Sequence, residues 1–274
     1  MTNSLVDFSQ IAKNPLLRRK LAGESISYFF GLYLNHYIKH ELAPFHYDFF
    51  SFAENDALKL IVILAFRESG KSTFFSTGYP IWAVTGKLQK KFVLIFTQTQ
   101  LQAKMALDNI KKELETNGIL KSDIGPFETP HDEWSSVSIV LNRYNARIMV
   151  ASTEQSVRGL RYSQFRPDLI ILDDVLDLSS VKTQELRNKL FNWYTGDVRP
   201  LNTNAKIVIV GTRLHPDDLY SRIIQKIKEE QLEGVYRVYP IVNEDGEPSW
   251  PGKHQDKKAI EKERSKYADE IAWQ

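Results

Sequence analysis

A chain of 274 residues has room for one large domain, and its 42% apolar and 26% charged residues are those of a water-soluble globular protein. A formal net charge of +2 supplies no global field for nucleic acid, so any DNA surface must be a local patch, and the absence of cysteine excludes disulfides and thiolate metal sites. No apolar run approaches the roughly 20 residues that span a bilayer, and residues 1–10 lack a signal-peptide pattern, so a cytoplasmic protein with no membrane partner is expected.

Residues 4–20 show no strong period, and Asn14-Pro15 marks a turn or helix start. Over 24–42 the apolar residues Ile26, Phe29, Phe30, Tyr33, Leu34, Tyr37 and Ile38 recur at helical spacing, which predicts one helix ended by Pro44. A second, short helix opens with Phe45, His46, Tyr47, Asp48, Phe49 and Phe50. These aromatics have two readings. They form helix core, or one ring stacks on an adenine while His46 or a neighbour reads its edge.

Leu60–Ala65 is an unbroken apolar run, as expected of a strand buried on both faces of a parallel sheet. It leads into Arg67-Glu68-Ser69-Gly70-Lys71-Ser72-Thr73 and then a helical pattern over 73–84. Strand, glycine-bearing turn and helix are what a phosphate loop requires, because backbone N–H groups must curl round a polyphosphate at a helix N-terminus. Gly70 permits close approach, Lys71 would reach the β- and γ-phosphates of ATP, and the Ser72 hydroxyl would ligate Mg²⁺. The full pattern G-x-x-x-x-G-K-[ST] is not met, since Ala65 holds its first position, and Arg67 adds a second cation to the loop.

Phe92–Thr97 reads as a second buried strand, followed by a helix over 98–115 with Leu101, Met105, Leu107, Ile110 and Leu114 as its apolar stripe. Residues 118–134 read as loop, with Gly125-Pro126 and Thr129-Pro130 as turns, and 137–141 with 147–151 as a hairpin. Leu169–Asp173 and Lys206–Gly211 are two further buried strands, and Val235–Tyr239 a fifth. Helices are expected over 179–194 and over 216–233, the latter with Pro216 at its first position. Strands alternating with helices imply an α/β fold with a mainly parallel sheet flanked by helices, preceded by an N-terminal helical segment. The charged helical pattern over 257–274 stops without a capping Gly or Asn, as though a natural protein would continue.

The chemistry-bearing residues fall at the ends of these strands. Asp173 and Asp174 close the Leu169–Asp173 run, where one carboxylate could hold Mg²⁺ and its neighbour polarise an attacking water. We assign Asp173 to the metal and Asp174 to the water; the competing reading is a pair of turn residues, with Asp174 or Asp177 capping the next helix. Thr212, at the tip of Lys206–Gly211, is placed to touch the γ-phosphate or that water. Arg158, Arg161 and Arg166 make a dense basic loop before the carboxylate strand; it is a solvated or DNA-contacting loop, or it carries an arginine finger reaching a neighbouring subunit's nucleotide.

With these motifs in place, residues 40–240 resemble the ATPase half of the large terminase subunit, the DNA-packaging motor of tailed bacteriophages. That family's R-x-x-G-K-[ST] loop is matched by Arg67 through Ser72, "SVRGLRYSQFRPDLIILDDV" is similar to its run into the carboxylate pair, and "IVIVGTRLHPDDLYSRI" to its coupling strand and following helix. "PFHYDFF" sits where the family places its adenine-contacting segment, which implies Phe45, His46 and Tyr47 as base contacts. Many members carry Glu where this chain has Asp174, and a nuclease domain that nothing after Arg237 supplies here. The resemblance implies a RecA-like P-loop (ASCE) fold, an aromatic-bearing N-terminal segment over 1–58, an ATPase core over 59–240 and the start of a linker subdomain over 241–274. It also implies ATP and Mg²⁺ as cofactors, and double-stranded DNA, a ring of copies on the portal and a small terminase subunit as partners in the host cytoplasm. Arg67 would then sense nucleotide in its own subunit, and Arg158 or Arg161 act in trans. A helicase of the same class, or a nucleotide-binding assembly module with little turnover, are the alternatives.

Overall fold

The computed structural model describes residues 11, 13–128 and 133–265. The turn at Thr129-Pro130 and the final part of the 257–274 pattern lie outside them. The helices run α1 (Pro15–Glu24), α2 (Ile26–Tyr33), α3 (Pro44–Glu54), α4 (Tyr79–Thr85), α5 (Gln100–Thr116), α6 (Gly118–Ile124), α7 (Gln184–Trp193), α8 (Leu219–Lys228) and α9 (Lys257–Arg264). Strands are β1 (Leu60–Ala65), β2 (Phe92–Thr97), β3 (Ser138–Leu141), β4 (Ala146–Ser152), β5 (Leu169–Asp173), β6 (Lys206–Gly211) and β7 (Val235–Tyr239).

All seven strands join one sheet in the order β3-β4-β2-β5-β6-β1-β7. Only β3 runs antiparallel, paired to β4 as the expected hairpin with Asn145 left-handed in its turn. Every residue of β1, β2, β5 and β6 is buried, which accounts for their unbroken apolar runs. Alternate side chains feed two cores. Ile61, Ile63, Val93, Ile95 and Ile171 meet the N-terminal helices, α4 and α5. Leu60, Val62, Leu94, Ile170 and Ile209 meet α7 and α8.

Several boundaries differ from the sequence expectation. The predicted helix over 24–42 is shorter: Ser25 is extended, its N–H closing α1 on the Leu21 carbonyl while Glu54 accepts from the Ile26 N–H. Helix α2 thus spans Ile26–Tyr33 with a 3-10 turn at Asn35–Tyr37, and Pro44 opens α3 instead of ending the helix. Asn14 caps α1 and Pro15 occupies its first turn, as the dipeptide suggested. Residues 118–124, expected as loop, are helical because the Asn117 side chain caps the Leu120 N–H. In α5 the inward positions are Ala103, Leu107, Ile110 and Leu114, whereas Leu101 and Met105 are exposed. The helix over 179–194 starts only at Gln184, where Thr183 caps it. Pro216 does not begin α8: buried Asp218 accepts from the Leu214, His215 and Ser221 N–H groups and starts the helix at Leu219.

Lys206, at the start of β6, is wholly buried and donates to the carbonyls of Phe52, Ala53 and Asn55 at the C-terminal end of α3. Three carbonyls match the three N–H donors of an ammonium, so the pocket is shaped for the charged form. Burial opposes it, pushing the group down to about 7.

Candidate active site

Three strand tips meet because β6 lies between β1 and β5. Each tip is a carboxyl end of a parallel strand, where open α/β sheets gather ligands. Beyond β1 the chain turns through Glu68 and Gly70, at φ 60° and 84°, before helix begins at Lys71. Left-handed residues between right-handed ones turn successive N–H groups to one side, which makes an anion-binding concavity. The outer side of this loop is tied down. Phe66 N–H donates to Tyr239 O at 3.2 Å, and Lys253 Nζ bonds the Glu68 carbonyl at 3.1 Å and its carboxylate at 2.7 Å.

Beyond β5, Asp173 and Asp174 part company. Asp173 is buried and accepts from Ser72 Oγ at 2.9 Å and Ser76 Oγ at 2.6 Å. Asp174 adopts φ 44°, so its side chain leaves the strand's alternation and pairs with Lys71 Nζ at 3.2 Å. That turn is buttressed from below. Tyr220 Oη accepts from the Val175 N–H at 3.0 Å, and its ring lies so close to Gly211 that a Cβ there would sit 2.5 Å from it. Glycine at 211 is therefore a requirement of the carboxylate turn. Neither Ser76 nor Tyr220 was singled out in the sequence, although Ser76 follows Ser72 at i+4 and the spacing itself was the available signal.

Burial first, and then the charge of Asp174, push the Asp173 carboxyl up to about 6. A buried carboxylate held by two hydroxyls and raised in this way is a site that a cation would relieve. The Ser69 Oγ is buried without a hydrogen-bond partner among the described residues. An orphaned hydroxyl inside an anion-binding loop and a hydroxyl–carboxylate pair beside it fit a phosphate with Mg²⁺. Among the described residues no group of three or more His, Cys, Asp or Glu is placed to hold a metal. One carboxylate and one hydroxyl suit Mg²⁺, which completes its shell with water and phosphate oxygens.

The remaining predicted residues divide. Thr212 Oγ1 donates to Ala65 O at 3.3 Å, linking the tips of β6 and β1 directly before the loop. Arg67 and Arg161 are exposed, and Arg158 pairs with Asp197 at 2.5 Å beside a cleft of 1330 Å³ that Asp177, Ser180 and Trp193 also line. Asp177 forms a turn with Ser180 and caps no helix. Phe45 and His46 are buried, and the Phe45 ring packs against Phe49, Phe66 and Tyr239. Phe45 thus packs in the core, the His46 ring bonds the protein's backbone through both nitrogens, and Tyr47 alone of the three is exposed.

No family model and no curated protein matches the sequence. Solved structures do. The large terminase of bacteriophage HK97 superposes with a TM-score of 0.51 at 16% identity, over 74% of this chain and 40% of that one. The large terminase ATPase domain of Thermus phage P74-26 gives 0.51 at 13% identity, over 79% of this chain and 86% of that domain. A thermophilic bacteriophage's large terminase in complex with ADP gives 0.54 at 11% identity, over 84% and 52%. The fold is that shared with phage large terminases. The chain spans 40% of the HK97 protein's length, and most of the length of the separate ATPase domain. The likeness agrees with the expected architecture, a mainly parallel RecA-like sheet flanked by helices. No helix among the described residues is long and apolar enough to cross a membrane.

Proposed function

We propose that this chain is a Mg²⁺-dependent ATPase that drives double-stranded viral DNA into a procapsid. One observation carries the reading: the phosphate loop and the carboxylate pair meet, with Lys71 on Asp174 and Ser72 on Asp173. Lys71 binds the β- and γ-phosphates, and Arg67, Glu68, Ser69, Gly70 and Thr73 wall them in. Ser72 and Asp173 would hold Mg²⁺, which when bound would supply positive charge at the phosphoryl oxygens. Asp174 orients the attacking water and accepts its proton at a carboxylate oxygen once Lys71 has turned to the phosphates. Thr212, bonded to the carbonyl at the root of the loop, relays nucleotide state between β6 and β1. Tyr47, the exposed aromatic, is the one left to meet the adenine. Double-stranded DNA, a ring of copies on the portal, a small terminase subunit and the host cytoplasm complete the proposed setting.

Phosphate release from ATP, followed with and without Mg²⁺ and double-stranded DNA, tests this. Mg²⁺-dependent turnover that DNA accelerates is expected. Tight nucleotide binding without turnover would favour an assembly module, and no nucleotide binding would overturn the site itself.

The arginines supply a second test. Arg67 lies within the loop and serves its own subunit, whereas Arg158 and Arg161 flank Gly159, at φ 78° with open space around it. We assign the trans-acting finger to Arg158 or Arg161, since a guanidinium fork can pair two phosphate oxygens at once. A finger-deleted subunit and a Lys71→Ala subunit, each inactive alone, should regain activity when mixed under assembling conditions, because one interface then has both parts. Arg67→Ala mixed with Lys71→Ala should not recover. Recovery only with Arg67→Ala would reverse the assignment.

A further inference from the structure

His46 occupies a position that neither the helix core nor a base contact explains. Its Nδ1 accepts from the Ala43 N–H at 2.9 Å, and its Nε2 lies 3.1 Å from the Ser69 carbonyl. A nitrogen that accepts a backbone N–H carries no proton, so the ring's proton is on Nε2 and is donated to Ser69 O. The ring is also clamped: Trp250 stands edge-on at 4.6 Å, Phe45 at 4.0 Å and Phe49 at 5.8 Å.

The consequence lies in the Ser69–Gly70 peptide. In a trans, planar peptide the carbonyl and the following N–H point in opposite directions. A carbonyl fixed outward on His46 therefore turns the Gly70 N–H toward the inner side of the loop. Gly70, at φ 84°, is the left-handed residue that closes the concavity, so this peptide plane decides whether the donors converge. We propose that His46 is a positioning residue that presets the phosphate loop for a polyphosphate by holding the Ser69–Gly70 peptide, and that it does not read the base. This rests on the proposed phosphate-loop function.

A ring serving only to cap α3 would need Nδ1 alone, through the Ala43 N–H. The Ser69 contact is the part that a cap does not use. It joins α3 to the loop, and the same ring is backed by Trp250, whose Nε1 donates to Glu41 O at 2.6 Å. The residues after β7 thus reach the loop both through Lys253 and, behind His46, through Trp250.

Mg·ADP, Mg·GDP and tripolyphosphate should be titrated calorimetrically into the wild type, His46→Phe, His46→Gln and Lys71→Ala. Phenylalanine keeps an aromatic ring among Phe45, Phe49 and Trp250 but offers no donor. Glutamine restores a donor and an acceptor. Loss of one hydrogen bond to the loop predicts about five- to tenfold weaker binding of all three ligands to His46→Phe, with recovery in His46→Gln. Loss confined to Mg·ADP would make His46 a base contact, and unchanged affinity would make it a cap; either overturns the proposal. If Lys71→Ala leaves binding intact, the phosphate-loop reading itself has failed. Should His46→Phe not fold, NMR of the wild type decides: an Nε2–H held in a hydrogen bond to the Ser69 carbonyl and protected from exchange supports the proposal, and an Nε2–H in free exchange with water overturns it.

Discussion

Replacing Lys71 with alanine is expected to lower ATP turnover by at least about a hundredfold, the scale of removing one preorganised charge partner from a reacting group. Lys71 is buried with its ammonium on Asp174, so it sits between the glycine-bearing loop and the carboxylate pair. Its removal takes away the only cation described here that joins the two halves. Nucleotide affinity should fall as well, because the β/γ charge is then held by metal and backbone alone. The fold should survive: Asp174, left without its partner, is 44% exposed and is hydrated by bulk water. Phosphate release, calorimetric titration with Mg·ADP and a thermal melt together check this. Wild-type turnover in a folded Lys71→Ala protein would end the phosphate-loop assignment.

The two carboxylates should separate under the same measurements. Asp174→Asn keeps the shape of the turn but cannot take a proton, so turnover should drop by about two to four orders of magnitude while Mg·ADP still binds. Asp173→Asn acts elsewhere. Its buried carboxylate faces both Ser72 and Ser76, and exchanging it for an amide puts a neutral group where a metal needs charge. Binding of Mg·ADP should weaken by about tenfold or more in that variant, on the scale of disturbed metal ligation. Equal binding losses in the two variants would show that the roles are not divided between them.

The strands were legible because burial on both faces leaves an unbroken apolar signature, as in Leu60–Ala65 and Lys206–Gly211. Their order was not, since the placing of β6 between β1 and β5 depends on pairings more than 30 residues apart that no local pattern records. Helix phase failed where a cap decided it. Thr99 starts α5, and the register that follows turns Leu101 outward and Ala103 inward. The approach of the loop to the acid pair could be read from strand ends, but Ser76 and Tyr220 act from within helices that looked like packing. The sequence leaves His46 open between helix core and base reader, and the bond from the Ala43 N–H to its Nδ1 depends on a ring orientation that no spacing records.

Trp250 gives the loop an optical voice. Its indole stands 4.6 Å from the His46 ring and 5.5 Å from Lys253 Nζ, and those two groups grip the loop at Ser69 and at Glu68. Imidazole and ammonium groups alter the emission of an indole they touch. Among the described residues the other tryptophans belong to other parts of the packing: Trp82 donates to Ala22 O, Trp134 bridges to Ile139, and Trp193 packs on Phe96. A rearrangement of the loop is therefore reported by the fluorescence of a residue more than 170 positions further along the chain, with no label added.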